Sequence, residues 1–311
     1  MNAIAAAPET PAPLLPLGLG LIGAALVWRE IAAATAVPPW AAEALVAAAA
    51  LALTALLIGY LRRLRRRPSA VDVDLRRRAG APGGTEALMF LGVALAPLSA
   101  GLGALVWMGA AAAQIALALR LFLRHGDVVR RDPELSLFLI VPFGGMMLAP
   151  VAFAPALFWI GLALGAATWP LALRRLLLRP TPPDQRPAAW VLLAPPSVAC
   201  IAALSQWGAG PLAFTLFALA TGTLVGLTWR LPWIAEGGFA PSWPCFTYPS
   251  AAYAGACAGM AAALEGGGWT TLAVVAAALV TAATLTVAAL CLSAWRAGRL
   301  RRVRAAAPSR G

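Results

Sequence analysis

Arginine interrupts the long apolar runs of this chain only after every second one. A helix needs about 20 mainly apolar residues to cross the hydrocarbon core of a bilayer. Runs of that kind are read at 14–37, 40–61, 86–101, 103–124, 135–152, 155–178, 188–207, 211–231, 243–264 and 269–295. Arginine clusters, or Arg230 alone, follow the second, fourth, sixth, eighth and tenth runs, and the loops after the odd runs are nearly free of arginine. Of the 24 basic residues, all of them arginine, only Arg29 falls on the opposite side. Basic loops stay in the cytoplasm, so both termini are expected there. Arg120, Arg174 and Arg175 lie near run ends, from which a long side chain can snorkel to the interface.

Composition closes off the alternatives. Hydrophobic residues make up 61% of the chain and charged residues 12%, against about 25% charged in a soluble domain. The net charge of +12 does not point to nucleic acid, because no zinc-finger spacing, RNA-binding aromatic motif or long basic helix accompanies it. The expected architecture is an all-α integral membrane protein with ten transmembrane helices arranged as five helical hairpins around a central pore. Residues 1–311 read as a single transmembrane domain, with a short N-terminal tail 1–13 and a basic cytoplasmic C-terminal tail 296–311. No cleavable leader is read, since residues 1–13 lack a basic segment; direct insertion into a bacterial inner (plasma) membrane is expected. The 39 residues 86–124 are tight for two helices: a short third span broken by Pro97 is expected there, with Trp107 of the fourth at an interface.

Proline shows a second alternation. Pro16, Pro97, Pro142, Pro150, Pro195, Pro196 and Pro249 fall in odd spans, while Pro211 and Pro232 lie near the ends of even ones and Pro170 is the exception. Proline kinks or breaks a helix, and carbonyls freed in a membrane must face protein or a water-filled cavity. One reading is that bent odd helices line a path, with Phe143 beside Pro142 among the lining residues. The other is that proline is simply common in membrane helices.

The chemistry is sparse. There is no zinc-protease helix, P-loop or Ser/His/Asp set, and no cofactor or metal is expected, so an enzyme is not the reading. Cys200, Cys245, Cys257 and Cys291 read as small buried hydrophobes. His125 reads as a solvated loop residue. Glu86 starts the third run, Glu265 ends the ninth, and Glu30 and Glu43 flank an outer turn, leaving no acid at mid-membrane. That suits a neutral path for anions rather than a proton pump or cation channel. The stretch Trp243-Pro-Cys-Phe-Thr-Tyr-Pro-Ser250 either sets an aromatic ring across a narrow path or belongs to an interfacial aromatic belt.

Three stretches carry a resemblance to the tellurite-resistance and C4-dicarboxylate transporter family, which includes the plant guard-cell slow anion channels. Trp243 to Ser250 resembles that family's Trp-Ala-Tyr-Thr-Phe-Pro motif in the ninth helix. Val191-Leu-Leu-Ala-Pro-Pro-Ser-Val198 is similar to its Leu-Ala-Pro-Pro segment in the seventh, and Arg230-Leu-Pro-Trp-Ile234 to another signature. The resemblance implies a quasi-fivefold pore lined by odd helices and a homotrimer with one pore per protomer. It further implies an aromatic gate just before the ninth-helix proline. Here Tyr248 stands where the family has Phe, and Phe246 where it has Tyr, so the two are the expected gate residues, with Thr247 beside them. The implied function is a channel or facilitator for small anions (chloride, nitrate, tellurite or sulfite). The rivals are a coupled C4-dicarboxylate/tellurite carrier and a non-transporting membrane scaffold.

Overall fold

The computed structural model describes residues 10–76, 80–132, 142–264 and 267–297, and every regular element among them is helical. Four hairpins have both of their helices described. The first pairs α1 (Leu15–Ala34) with α2 (Pro39–Arg66), and the second pairs α4 (Ala81–Leu95) with α5 (Ala100–Arg124). In a third, a 3-10 segment Pro183–Leu193 runs into α9 (Ala194–Trp207), which returns as α10 (Pro211–Trp229). In a fourth, a 3-10 turn Trp243–Phe246 runs into α12 (Thr247–Leu264), which returns as α13 (Gly267–Arg296). Between the second and third of these, α7 (Phe143–Met147) precedes α8 (Ala154–Leu178); most of the expected fifth span before Pro142 lies outside the described residues. Short helices α3 (Ala70–Arg76), α6 (Gly126–Arg131) and α11 (Leu231–Ala235) follow α2, α5 and α10. Among the described residues, seven helices are long and apolar enough to cross a membrane, and Pro82–Leu95 is a shorter apolar one.

The first members of the hairpins touch one another in a closed ring: α1 to α4, α4 to α7, α7 to α9, α9 to α12, and α12 back to α1. The second members pack outside it. Close approach in the ring follows from side-chain size. Alanine and glycine dominate α12, whose Ala251, Ala252, Ala254, Gly255, Ala256 and Ala258 are all buried. Small residues are what let membrane helices pack closely without a hydrophobic drive between them.

The arginine-rich ends of the outer helices are tied down by carboxylates. Arg63 on α2 grips Asp74 of α3 at 2.9 and 3.0 Å, with both side chains buried, and Tyr60 donates to the same carboxylate at 3.1 Å. Arg120 on α5 grips Asp72 of α3 at 2.7 and 2.8 Å. Arg175 on α8 pairs with the buried Asp132 at 3.0 Å, and Arg186 pairs with Glu236. Hydrogen bonds from Arg120 are the chief cause that holds the Asp72 carboxyl well below the usual carboxylate range. Arg29, at the other end of α1, is neutralised by Glu43 at 2.6 and 2.7 Å and also donates to the carbonyl of Ala94 at 2.8 Å.

Several expectations are corrected. The third span begins at Ala81 rather than 86 and ends at Leu95, so Pro97 lies in the turn before Ser99, which caps α5 by accepting from the Leu102 amide at 3.3 Å. Trp107 is buried, not interfacial; its indole donates to the carbonyl of Gly145 at 2.8 Å. His125 is buried too, with Nε2 3.1 Å from Asp72. The prolines do not break helices midway. Pro16, Pro195, Pro196 and Pro249 occupy first turns of α1, α9 and α12, and Pro142 precedes the first residue of α7. A first-turn amide has no helical partner to lose. At Leu193–Ala194 and Phe246–Thr247, 3-10 backbone passes into α-helix just before these prolines.

Candidate functional site

Two cavities lie inside the ring. The first, of about 130 Å3, opens among the N-terminal turns of the ring helices; Pro16, Glu86, Phe143, Pro195, Tyr248 and Pro249 are among its walls. The second, of about 390 Å3, lies toward their C-terminal ends and is walled by Glu30, Phe90, Pro97, Met147, Gln206 and Tyr248 among others. Tyr248 is the one described residue that lines both.

Local sequence explains how the tyrosine is held. Tyr248 is the second residue of α12, directly after the 3-10 turn, and Pro249 follows it in the first helical turn. Its side chain is 6% exposed and packs edge-on against Phe90 of α4, with ring centroids 5.1 Å apart. Two glycines on neighbouring ring helices make room for it. A Cβ on Gly23 of α1 would lie 3.3 Å from Cδ2 of the ring, and one on Gly144 of α7 would lie 2.6 Å from the hydroxyl. At Gly144 a Cβ would force the hydroxyl to shift, and at Gly23 it would make a tight contact with the ring. The hydroxyl has no hydrogen-bond partner among the described residues, whereas a buried tyrosine hydroxyl usually finds one.

The other expected site residues divide. Pro16, Phe143, Pro195 and Pro249 line the first cavity and Pro97 the second. Pro142 and Pro196 line neither. Phe246 also lines neither; its ring sits 5.1 Å from Trp190 and 5.6 Å from Trp243. Thr247 is fully buried, donates to the carbonyl of Pro244 at 2.8 Å, and presses on Gly20 of α1.

Glu86 was expected at the rim and is instead inside. It lies in the second turn of α4, is partly exposed to the first cavity, and receives the backbone N–H groups of Gly144 and Gly145. Its Oε1 and the Tyr248 hydroxyl flank the same point above Gly144, at 3.1 and 2.6 Å from where a Cβ would stand. The signal for its position was present: Pro82 favours the first turn of a helix and so moves the start of the third span ahead of Glu86. Glu30 lines the second cavity, and among the described residues no arginine lines either. The four cysteines are free thiols, and no group of three or more candidate metal ligands occurs among the described residues.

The described ring helices thus border two cavities that share one aromatic side chain. No curated protein matches the chain. The family described as SLAC1, voltage-dependent anion channel, matches residues 12–292, nearly the whole of it. This chain is thus a multi-pass membrane protein belonging to the SLAC1 family of anion channels and transporters.

Proposed function

We propose that this protein is a channel for small monovalent anions such as chloride or nitrate, closed in this structure by the ring of Tyr248. The observation that carries the reading is that Tyr248, alone among the described residues, borders both cavities. Among the described residues the walls are mostly apolar and include no arginine. A C4-dicarboxylate carrier would need fixed cations to hold two carboxylates through its cycle, so described walls without a guanidinium favour a channel for weakly held anions, selected by desolvation and dipoles. Tellurite and sulfite share the required size and charge sign. Tyr248 acts as the gate, while Phe246 serves as a packing residue that fixes the 3-10 turn before it through Trp190 and Trp243. The arginine-rich end faces the cytoplasm of a bacterial inner membrane, with both termini on that side, and the protein works as a homotrimer with one path per protomer.

The test is electrical. Purified protein and Tyr248→Ala are reconstituted in planar bilayers in symmetric chloride. Removal of the ring is expected to raise anion current at least tenfold. A silent Tyr248→Ala together with saturable dicarboxylate uptake into vesicles would instead establish the carrier.

A further inference from the structure

Every carboxylate in an ion pair on the arginine-rich end faces a cation at close range. Glu86 does not. Its carboxyl group stands on the wall of the first cavity, against two backbone amides and beside an unpartnered tyrosine hydroxyl. Among the described residues, the elements around it offer no countercharge that is not already paired. On α1, the nearest ionisable groups are Arg29 and Glu30; Arg29 reaches the carbonyl of Ala94, eight residues along α4 from Glu86, and is already held by Glu43 of α2. Eight residues amount to about 12 Å of helix. Arg63 on α2 is committed to Asp74 of α3, and Arg120 on α5 to Asp72 of α3, which His125 also touches. The segment Pro142–Met147 carries no ionisable side chain; of the titratable groups on α12, Tyr248 lines this cavity and Tyr253 and Cys257 do not, and the 3-10 turn before α12 adds the neutral thiol of Cys245.

Resting on the channel reading above, we propose that Glu86 is a proton-binding, specificity-determining residue of the anion path: anions pass the Tyr248 partition when Glu86 carries a proton, and are refused when it is charged. An anion entering the first cavity comes within a few ångströms of this carboxyl group. A full negative charge about 5 Å away, at an effective dielectric of about 20, disfavours it by roughly a hundredfold. Protonation removes that repulsion and turns an acceptor into an O–H donor. The neutral acid then offers the anion a hydrogen bond beside the amides of Gly144 and Gly145. The geometry makes the control one-sided, because Glu86 lines the first cavity and not the second. Protons reach it from the arginine-rich face.

The test uses the full chain reconstituted in liposomes, with chloride efflux measured at pH 7.5 and pH 4.5 for wild type, Glu86→Gln, Glu86→Asp and Tyr248→Ala. Wild-type efflux is expected to rise at least tenfold on acidification. Glu86→Gln, a permanent mimic of the protonated acid, is expected to match the acid rate at both pH values, and Glu86→Asp to restore the pH response. Monodisperse elution of each variant from a sizing column before reconstitution separates misfolding from closure. The inference is overturned if Tyr248→Ala conducts while Glu86→Gln keeps the wild-type pH response, or if Glu86→Gln is no faster than wild type at pH 7.5. Those outcomes leave the channel reading standing. Silence of every variant at both pH values overturns the channel reading and this inference with it.

Discussion

The inner and outer helices of this protein are built from similarly apolar sequence and meet different surroundings. Of the spans in the ring, Ala12–Ala33 has 67% of its window buried and Pro183–Trp207 has 72%; for the five long outer spans the share runs from 17% to 28%. Mean hydropathy does not separate them, at 1.5 and 1.8 for the inner two and 1.6 to 2.3 for the outer five. In a bilayer, lipid tails are as apolar as leucine, so hydrophobicity says that a helix crosses and not which way it faces. Side-chain volume and backbone geometry make the distinction. Glycine, alanine and first-turn proline mark the ring, while exposed leucines such as Leu51, Leu105, Leu177 and Leu279 mark the outside.

That contrast breaks first where glycine admits the tyrosine. In Gly144→Val, the new side chain must fit where the Tyr248 hydroxyl and Glu86 already stand, 2.6 and 3.1 Å from the Cβ position. Overpacking of this kind costs about 1–3 kcal/mol. The ring has to move, so basal chloride efflux is expected to rise severalfold and thermal stability in detergent to fall. Wild-type efflux with an unchanged melting temperature would mean that α7 does not abut the ring, and that the partition is held from α1 and α4 alone.

A smaller effect is expected at the arginine-rich ends of the outer helices. Asp72→Asn removes the carboxylate that Arg120 grips at 2.7 Å. Both side chains are partly open to solvent, so the loss is expected to be about 1 kcal/mol or less, and less again in high salt. The pH dependence has a definite sign. Asp72 has a lowered folded-state pKa, chiefly from the Arg120 hydrogen bonds. Its contribution is therefore complete above the ordinary carboxylate value of about 4 and declines below it, disappearing only as pH falls through the much lower folded-state value. Melting temperatures of wild type and Asp72→Asn, measured from pH 7 down to pH 3, should differ by a constant amount to about pH 4 and begin to draw together below it, with most of the gap still present at pH 3 because the folded-state value lies well below that. A gap that does not narrow at all below pH 4 would assign the pair no linkage to pH.

How much of this was legible beforehand follows from the same physics. The alternation of arginine clusters made the hairpins visible, because charge is costly within the bilayer and must collect at loops. The uneven distribution of proline marked the ring helices, although proline acts there in first turns rather than as a mid-helix break. Boundaries were harder. In residues 86–124 nearly every position is apolar, so no amphipathic stripe fixes where a helix starts. The five-residue error at the third span followed, and it kept Glu86 on the rim. Pro82 was the better guide. Trp107 and His125 were misread for a related reason: their burial depends on Gly145 and Asp72, which come from other elements. The two aromatics of the ninth-helix motif were indistinguishable as a sequence pattern. What separates them is where each falls at the passage from 3-10 to α backbone: Phe246 ends the turn, and Tyr248 lies two residues on, in the first turn of α12.

The smallest effect should come from the outer surface, and it tests the comparison most directly. Leu279 on α13 is 66% exposed in the monomer. If that face meets lipid, Leu279→Ala exchanges one apolar side chain for another against an apolar solvent and leaves no cavity. Stability is then expected to change by less than about 0.5 kcal/mol, and anion flux not at all. Were the position instead covered by a second protomer, the truncation would remove packed methyl groups from a protein interface, where Leu→Ala costs about 2–5 kcal/mol. Thermal unfolding of Leu279→Ala in detergent and in lipid nanodiscs reads the difference. A loss of more than about 2 kcal/mol would assign this part of α13 to a protein contact, and would leave the remaining exposed leucines of α2, α5 and α8 as the lipid face.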